Sequence, residues 1–450
     1  MSDLDRSLRP PTGGIRPYQF PDLVNRRFEN GLELLLVQKK DLPMVTALVV
    51  LDAGETRVPT EKGGLAVLTG DALEAGTGRR SGLEWARALE SLGATSGVST
   101  GWDSTTVAVS SQADRLAEAL PLLGEMVRSP SFPEDEFPRY KRQCLGTVAQ
   151  RAMNPGALAS DEFARFLYGA HALYGRPLGG REESLAPLDA VDCRGFVESC
   201  YVPHGAGLIL VGDLDAREAE ALARESFGDW TGRPAGAGGD VAPPDMEAGV
   251  LLVHRPGAVQ SEIRVGHGGI PRDAPDYFAV RILNLILGGS FTSRLNLNLR
   301  EKNGFTYGVR SRFITRRGAG PFVVSTAVES AVTGAAVSEI HGEIGALAND
   351  GPTAAEVETA VSYLSGVFPL KLETTGQIAA QAAEIIVYGL EQDYYHRYRK
   401  RIRDVSFAAV GEAAEARLRP AELRTVIVGD ADVVAPQLEA KGLGPIVRQS

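Results

Sequence analysis

The feature that most constrains the fold of this chain is a set of landmarks that recurs at a nearly constant spacing. A Leu-Leu-Val run at 35–37 has a counterpart at 251–253, an offset of 216 residues. YVP, six residues and LVGD close the first half, and LRP, six residues and IVGD close the second, at an offset of 217. In each half a proline, Pro133 or Pro352, precedes a long helical stretch. The repetition predicts two copies of one fold.

The break between the two copies is a stretch that reads TGRPAGAGGDVAPPD, residues 231–245. It is rich in Gly, Pro and Ala and has no apolar periodicity, which is typical of an interdomain linker. We therefore expect a first lobe at 1–230, a linker at 231–245 and a second lobe at 246–450. Apolar side chains make up 44% of the 450 residues, enough to bury two large cores.

Helices and strands are mixed within each copy rather than strictly alternating. Capping boxes at Ser81 and Thr353, each with Glu three residues later, predict helices over 81–94 and from Thr353 through Leu364. Strands are expected over the apolar or alternating segments 45–54, 105–112 and 208–215. The pattern predicts an α+β protein of two homologous lobes, each a mixed or antiparallel sheet packed with helices.

The charge and the termini bear on the class of partner and the compartment. The net charge of −10 disfavours nucleic acid and anionic lipid as partners. The basic, aromatic stretch 394–403 is interpreted as a solvated helix face with buried Tyr and Ile. No apolar run is long enough for a membrane span. Residues 1–23 lack the features of a secretory signal or a transit helix, so we expect a cytoplasmic protein.

The three cysteines, Cys144, Cys193 and Cys200, are expected to be packing residues in a reducing compartment. Cys193 and Cys200 lie seven residues apart in a predicted helix, which separates them by roughly 10 Å along its axis. A disulfide requires Cα atoms within about 7 Å. The sequence therefore predicts no disulfide between them.

The sequence gives little support for a metal site built from histidines or for a serine nucleophile. No two of the six histidines stand four residues apart, and His254 and His267, near two candidate strands, are interpreted as ordinary strand-end or core residues. The pattern G-x-S-x-G occurs once, around Ser99. A nucleophile elbow needs a strand before the serine and a helix after it, whereas here a helix precedes and a strand follows. The match is therefore interpreted as chance.

Five segments, in the expected order, resemble the insulinase/pitrilysin-type zinc peptidases, which include the mitochondrial processing peptidases. They read EKGGLAVLTGDALEAGTGRRS (61–81), YGAHALYGRPLGGREESL (168–185), YVPHGAGLILVGD (201–213), LNLILGGSFTSRLNLNLREKNGFTYGV (283–309) and FPLKLETTGQIAAQ (368–381). The resemblance covers nearly the whole chain. It implies the duplicated, two-lobed peptidase fold of that family.

The first of these segments departs from the family at the positions that bind zinc. The family motif H-x-x-E-H places two histidines one helical turn apart and a Glu that activates the metal-bound water. By the resemblance, those three positions are Val67, Gly70 and Asp71 here, and the third ligand, a downstream Glu, falls near Thr147. A catalytic zinc needs about three protein ligands. The resemblance therefore implies a degenerate motif, with no metal site and no catalytic residue in this chain.

The second lobe keeps a pair that the family uses on substrate. Arg300 and Tyr307 stand seven residues apart in REKNGFTY. In the family such an Arg and Tyr reach the active site and donate to substrate carbonyls and the developing oxyanion, a role suited to their donors. The alternative is that Arg300 forms a salt bridge and Tyr307 packs in the core. Gly288 and Gly289 are expected to form a tight turn.

The resemblance implies a non-catalytic subunit of a heteromeric zinc metalloendopeptidase. An H-x-x-E-H partner would carry the zinc, in a heterodimer or heterotetramer, and this chain would bind no cofactor itself. This chain would close the peptide chamber and supply Arg300 and Tyr307, with the peptide added as a strand to a sheet edge. Two alternatives stay open: a stand-alone peptide-binding or scaffold protein, and an independent hydrolase that uses Ser99.

Overall fold

Two six-stranded sheets, each packed with helices, organise the computed structural model, which describes residues 17–235 and 248–449. Of the predicted linker, residues 231–235 are irregular and 236–245 lie outside the described residues. Residues 1–16, most of the segment on which the expectation of no targeting signal rests, also lie outside them. All strands of the first sheet precede the predicted linker, and all strands of the second come after it.

The first sheet has the strand order β1-β2-β6-β3-β5-β4. Its strands are β1 (Leu23–Arg27), β2 (Glu33–Gln38), β3 (Met44–Leu51), β4 (Thr95–Thr100), β5 (Thr105–Gln112) and β6 (Gly207–Gly212). Strands β2 and β6 are parallel, and every other neighbouring pair is antiparallel. β4 is an edge strand.

The second sheet has the order β12-β7-β11-β8-β10-β9. Its strands are β7 (Gly249–His254), β8 (Gln260–Gly268), β9 (Val309–Phe313), β10 (Pro321–Glu329), β11 (Arg424–Gly429) and β12 (Ile446–Gln449). The parallel pair β7–β11 corresponds to β2–β6. The sheets differ at one edge, where β12 is parallel to β7 but β1 is antiparallel to β2.

The helices of the first half, in chain order, are α1 (Leu65–Asp71), α2 (Gly82–Ser91), α3 (Leu116–Arg128), α4 (Phe137–Met153), α5 (Pro155–Tyr168), α6 (Glu182–Leu185), α7 (Ala190–Cys200) and α8 (Ala216–Phe227). Those of the second half are α9 (Tyr277–Asn284), α10 (Arg294–Asn296), α11 (Thr333–Asp350), α12 (Ala354–Val367), α13 (Thr375–Tyr388), α14 (Tyr394–Asp404), α15 (Phe407–Arg417) and α16 (Ala431–Ala440). Two π-helical turns, Leu285–Gly289 and Leu297–Lys302, flank α10.

The duplication and the α+β class are confirmed. The two Leu-Leu-Val runs lie in β2 and β7, and the two Val-Gly-Asp landmarks end β6 and β11. Both predicted capping boxes form: the Glu84 backbone N–H donates to Ser81 Oγ and that of Glu356 to Thr353 Oγ1, each at 3.3 Å. Local sequence signals therefore set these elements in both lobes.

Each half of the chain contributes one helix to the sheet of the other half. Apolar residues of α13, among them Ile378 and Ala382, pack with Leu48 and Ile209 on one face of the first sheet. In return, Phe163 and its neighbours on α5 pack on β7 and β11 of the second sheet. The two lobes therefore share their cores across the interface.

Three further predictions can be compared with the structure. All three cysteines are buried and free, which confirms their packing role. The predicted basic helix is α14, with Tyr394, Tyr398 and Ile402 buried as expected. Among the helices of the described ranges, none combines the length and the apolarity that crossing a membrane requires.

Candidate functional site

The helix that carries the degenerate motif, α1, begins in a tightly fixed corner. Gly64 has a φ of +94°, and a Cβ on it would lie 2.5 Å from the Gly179 carbonyl oxygen, so only glycine fits. The Gly64 N–H donates to Glu55 Oε1 at 2.7 Å. Arg176 lies 3.2 Å from the same Glu55 oxygen and donates to three backbone carbonyls. The entry to the motif helix is thus held by a buried ion pair.

Glu55 is fully buried in this corner. Burial raises the pKa of Glu55 to about 7, while Arg176 and backbone N–H donors favour the charged form and limit the rise. Glu55 contributes to the frame of α1 and lies away from its exposed end.

The position at which the family has its Glu base is sterically closed. Gly70 is buried, and a Cβ built on it would overlap Thr100 Oγ1 of the edge strand β4. The Thr100 hydroxyl lies 3.1 Å from that of Thr105. A glutamate at position 70 would therefore require the Thr100 side chain to shift.

The other motif positions carry no usable set of metal ligands. Val67 is half-buried and has no donor atom. Asp71 is exposed at the end of α1, and its Oδ2 accepts a hydrogen bond from the Cys144 thiol at 3.3 Å. Thr147, one turn beyond Cys144 on α4, is exposed and donates to the Gln143 carbonyl. α1 and α4 are adjacent, as the resemblance implies, but one carboxylate is all they offer.

The thiol beside Asp71 does not change this conclusion. Burial, and then the Asp71 charge, raise the pKa of Cys144 to about 12, so the thiol stays protonated and donates. Even as a metal-bound thiolate, Cys144 would bring the ligands here to two with Asp71, fewer than the three that a catalytic zinc needs. The residues at this position do not fit the zinc ion that the peptidase fold implies.

The histidines and Ser99 occupy ordinary positions. His254 ends β7, and its Nδ1 accepts the Ala431 N–H at 3.0 Å; within the described ranges its ligand atoms lie within 4.8 Å of those of Asp430 and Asp432. His267 is buried in β8, where desolvation lowers its pKa to about 4. Both match the strand-end or core interpretation. Ser99 lies in β4, between α2 and β5, so the elbow context is absent as predicted.

Arg300 lies in the π-helical turn Leu297–Lys302, and Tyr307 lies in the loop between that turn and β9. The Arg300 side chain, 32% exposed, stacks over Phe291 with its guanidinium carbon 4.1 Å from the ring centroid, and Nε lies 3.5 Å from Glu301. Tyr307 is 98% exposed and lines a cleft of about 710 Å³ between the lobes. Tyr307 does not pack in the core, so that part of the alternative is wrong, whereas the salt bridge that it expected for Arg300 forms with Glu301.

A residue that the sequence reasoning missed, Asn296, fixes this loop. It is buried, and its Nδ2 donates to the carbonyls of Ser290 and Val309 at 3.0 and 2.8 Å. Its Oδ1 accepts the Val309 N–H at 3.2 Å. One side chain therefore joins both ends of the segment that carries Arg300 and Tyr307. Its only signal in the sequence is a polar residue inside the run SRLNLNL.

The expected tight turn at Gly288 and Gly289 is wrong. Both residues belong to the π-helical turn that continues α9. A Cβ on Gly288 would lie 2.6 Å from the backbone nitrogen of Ser311 in β9. Glycine is required there because the turn packs closely on β9.

Comparisons with known proteins bear on this frame. The family model described as Insulinase (Peptidase family M16) matches residues 34–174, and that of the Peptidase M16 inactive domain matches 187–364. A crystal structure of the peptidase M16 inactive domain from Pseudomonas fluorescens superimposes with a TM-score of 0.85 at 28% identity, covering 91% of this chain and 98% of that chain.

The chain belongs to the insulinase, or M16, peptidase family. A protease from Helicobacter pylori shares the fold at a TM-score of 0.85 and 19% identity, over 92% of this chain and all of that one. The uncharacterized zinc protease YmxG of Bacillus subtilis is 22% identical over 77% of this chain and 84% of its own length. One of Streptomyces coelicolor is 27% identical over 67% of each chain.

This M16 chain thus has the family frame, and the positions that the resemblance assigns to the family's metal ligands carry other residues. The corner that starts α1, the adjacent α4 and the exposed loop of the second lobe are all present. Where zinc ligands and a base should stand, the structure has Val67, Gly70, Asp71 and Thr147.

Proposed function

We propose that this chain is the non-catalytic subunit of a heteromeric zinc metalloendopeptidase. In this proposal a homologous partner with an intact H-x-x-E-H motif binds the zinc, and this chain closes the peptide chamber. It supplies Arg300 and Tyr307 to the partner's active site. The observation that carries the proposal is the closed Gly70 position in a chain whose Tyr307 is almost fully exposed.

The surroundings of α1 support the loss of the zinc site from a helix that otherwise keeps its place in the fold. The Glu55–Arg176 pair still fixes the start of the helix, so the helix keeps its place in the fold. The space of the missing glutamate is filled by Thr100. Catalysis by this chain alone would need a base and metal ligands that α1 and α4 do not offer.

The loop of the second lobe supports a role toward another molecule. A tyrosine that is 98% exposed contributes little to its own fold. Phe291 and Leu297 are exposed on the same segment, at 64% and 51%. Buried Asn296 nonetheless holds the loop in place, so the phenol and the guanidinium are presented by a fixed element. Pre-positioned donors of this kind suit the stabilisation of an oxyanion.

Peptide binding would use the free sheet edges. β4 and β9 each have one unpaired side, and an extended peptide can add to such an edge through backbone hydrogen bonds. β9 begins two residues after Tyr307. A peptide that pairs with this edge would therefore pass close to the proposed donor.

The test is reconstitution of peptide cleavage. The purified chain alone should bind no stoichiometric zinc by elemental analysis and should not cleave a peptide library. Addition of the cognate H-x-x-E-H subunit should produce cleavage. In that mixture Arg300→Ala and Tyr307→Phe should each lower kcat/KM by about 10²-fold, the typical effect of removing one oxyanion donor.

A matched control separates function from folding. Arg87→Ala removes an exposed arginine of α2, away from Arg300 and Tyr307, and should leave kcat/KM unchanged. Zinc-dependent cleavage by this chain alone would overturn the proposal.

The exposed apolar segment also favours a second candidate, a stand-alone peptide-binding or scaffold protein. Phe291, Leu297 and Tyr307 would then form a contact surface with no peptidase partner. Affinity purification distinguishes the two candidates. A scaffold would co-purify with proteins that lack H-x-x-E-H and would keep those partners after Arg300→Ala.

A further inference from the structure

A cavity of about 500 Å³ lies inside the second lobe, apart from Arg300 and Tyr307. It is enclosed by α9, the end of β9, the turn Phe368–Lys371, α13 and α14. Its volume is within the range of small-molecule sites. Because α13 also packs on the first sheet, the cavity lies at the junction of the two lobes.

The charges that line this cavity are unbalanced. Four cationic side chains reach it: Arg272, Arg281, Arg312 and Lys371. The single carboxylate in its lining is Glu384. This is the reverse of the chain as a whole, whose net charge is −10.

The one carboxylate is already engaged. Glu384 Oε2 lies 3.3 Å from Arg272 Nη2 and accepts a hydrogen bond from the Tyr395 hydroxyl at 2.8 Å. Arg272 is 5% exposed and also faces the ring of Tyr277 at 4.1 Å. Arg272 is therefore compensated by Glu384 and by cation–π contact.

The other three cations have no carboxylate partner: within the described residues, no carboxylate oxygen lies within 4 Å of Arg281, Arg312 or Lys371. Arg281 donates to the Tyr277 hydroxyl at 3.1 Å and lies about 6 Å from the Tyr398 ring centroid. Burial, and then the nearby charge of Arg281, lower the pKa of Lys371. Cations that repel one another in a partly buried cavity are unfavourable unless an anion joins them.

The side chains that line the cavity restrict the chemical class of anion that can bind there. Guanidinium groups bind oxyanions through paired N–H donors, so phosphate and carboxylate are the matching groups. Phe313, Phe368 and Leu364 form an apolar part of the wall. An apolar or aromatic body attached to the oxyanion would therefore be accommodated as well.

We propose that this cavity binds a small organic oxyanion, with a phosphate or carboxylate group held by Arg281, Arg312 and Lys371 and a compact apolar body against the aromatic wall. The site is independent of the proposed peptidase partner and of Arg300 and Tyr307. An occupant would contact both α9 and α13, and would therefore stabilise the junction between the lobes.

The experiment is ligand binding by the full-length chain. Phenyl phosphate, benzoate and inorganic phosphate are titrated by calorimetry and by thermal unfolding, with sodium chloride at matched ionic strength as the salt control. We expect at least one organic oxyanion to bind with about 1:1 stoichiometry and to raise Tm, as ligand linkage requires. Binding of phenyl phosphate alone identifies a phosphoryl ligand, and binding of both organic probes identifies the shared oxyanion chemistry.

Variants at the exposed mouth locate the site without disturbing the buried cluster. Lys371→Gln and Arg312→Gln should each weaken binding by about tenfold, the loss of one charge-assisted contact. Arg310→Gln is the matched control, because Arg310 is an equally exposed arginine of β9 that does not line this cavity. Absence of binding by all three probes would overturn the proposal. So would equal affinities in Lys371→Gln, Arg312→Gln and Arg310→Gln.

Discussion

The two lobes share a sheet topology but differ beyond β3 and β8, the strands that occupy corresponding positions in the two sheets. In the first lobe β3 leads to α1, a helix in which Thr100 occupies the space beside Gly70. In the second, β8 leads to α9 and a π-helical turn, and then to a loop that exposes Tyr307. In the proposed function, the first lobe has the frame of a catalytic site without its ligands, whereas the second presents the exposed Tyr307 to the cleft between the lobes. Duplication thus preserved architecture, while the chemistry of the lobes diverged.

The largest change in stability is expected when Arg176, the buried cation beside the start of α1, is removed. Arg176→Ala leaves Glu55 without its partner and three backbone carbonyls without their donor. We expect a loss of about 3–5 kcal/mol in the free energy of unfolding, measured by urea denaturation. A loss below about 1 kcal/mol would show that the corner does not stabilise the first lobe.

The burial of Glu55 in the same corner predicts that the free energy of unfolding depends on pH. Because burial raises the pKa of Glu55 in the folded state to about 7 from an ordinary 4.5, folding favours its protonated form. Its contribution is fully present below pH 4.5 and is lost as the pH rises to about 7, a change on the order of 3 kcal/mol. Denaturation of wild type and Glu55→Gln at several pH values measures it. The difference in stability should shift in favour of Glu55→Gln as the pH rises, and a constant difference would contradict the assignment.

Closure of the first-lobe site can be tested at Gly70. Gly70→Ala should destabilise the chain by about 1–3 kcal/mol, since the new Cβ overlaps Thr100 Oγ1. The double variant with Thr100→Ala should recover part of that loss, because the overlapping oxygen is gone. Thermal unfolding of both single variants and the double variant gives the coupling energy. Strict additivity would mean that Thr100 does not close this position.

The smallest effect on stability is expected from a substitution of Tyr307 in the second lobe. Tyr307→Ala is expected to change the free energy of unfolding by less than about 0.5 kcal/mol, because the side chain is 98% exposed. Asn296→Ala, on the same loop, should cost about 1–3 kcal/mol because it leaves the buried Val309 backbone groups unpaired. Chemical denaturation of both variants compares them. An equal loss for the two would place Tyr307 among the structural residues.

Much of the fold was predictable because its signals are local. Strand β5 matches the predicted 105–112, and both capping boxes form where Ser and Thr stand three residues before Glu. The strand expected over 208–215 ends earlier, at Gly212, since the φ of +151° at this glycine already turns the chain out of the sheet. The Gly288–Gly289 turn failed because a glycine pair does not reveal whether it allows a bend or the close packing of two segments.

The sequence by itself determined that the chain is a duplicated α+β protein of the M16 type and that its motif lacks histidine and glutamate. The duplication and the fold class follow from recurring landmarks and short-range periodicity, whereas the family and the missing motif residues follow from the resemblance of five segments to the insulinase-type peptidases. Only the tertiary structure showed that Thr100 fills the space at Gly70, that α5 and α13 each pack on the sheet of the other half, and that Arg281, Arg312 and Lys371 share a cavity. These features depend on contacts between residues that are distant in the chain, and no local pattern encodes which distant surfaces meet.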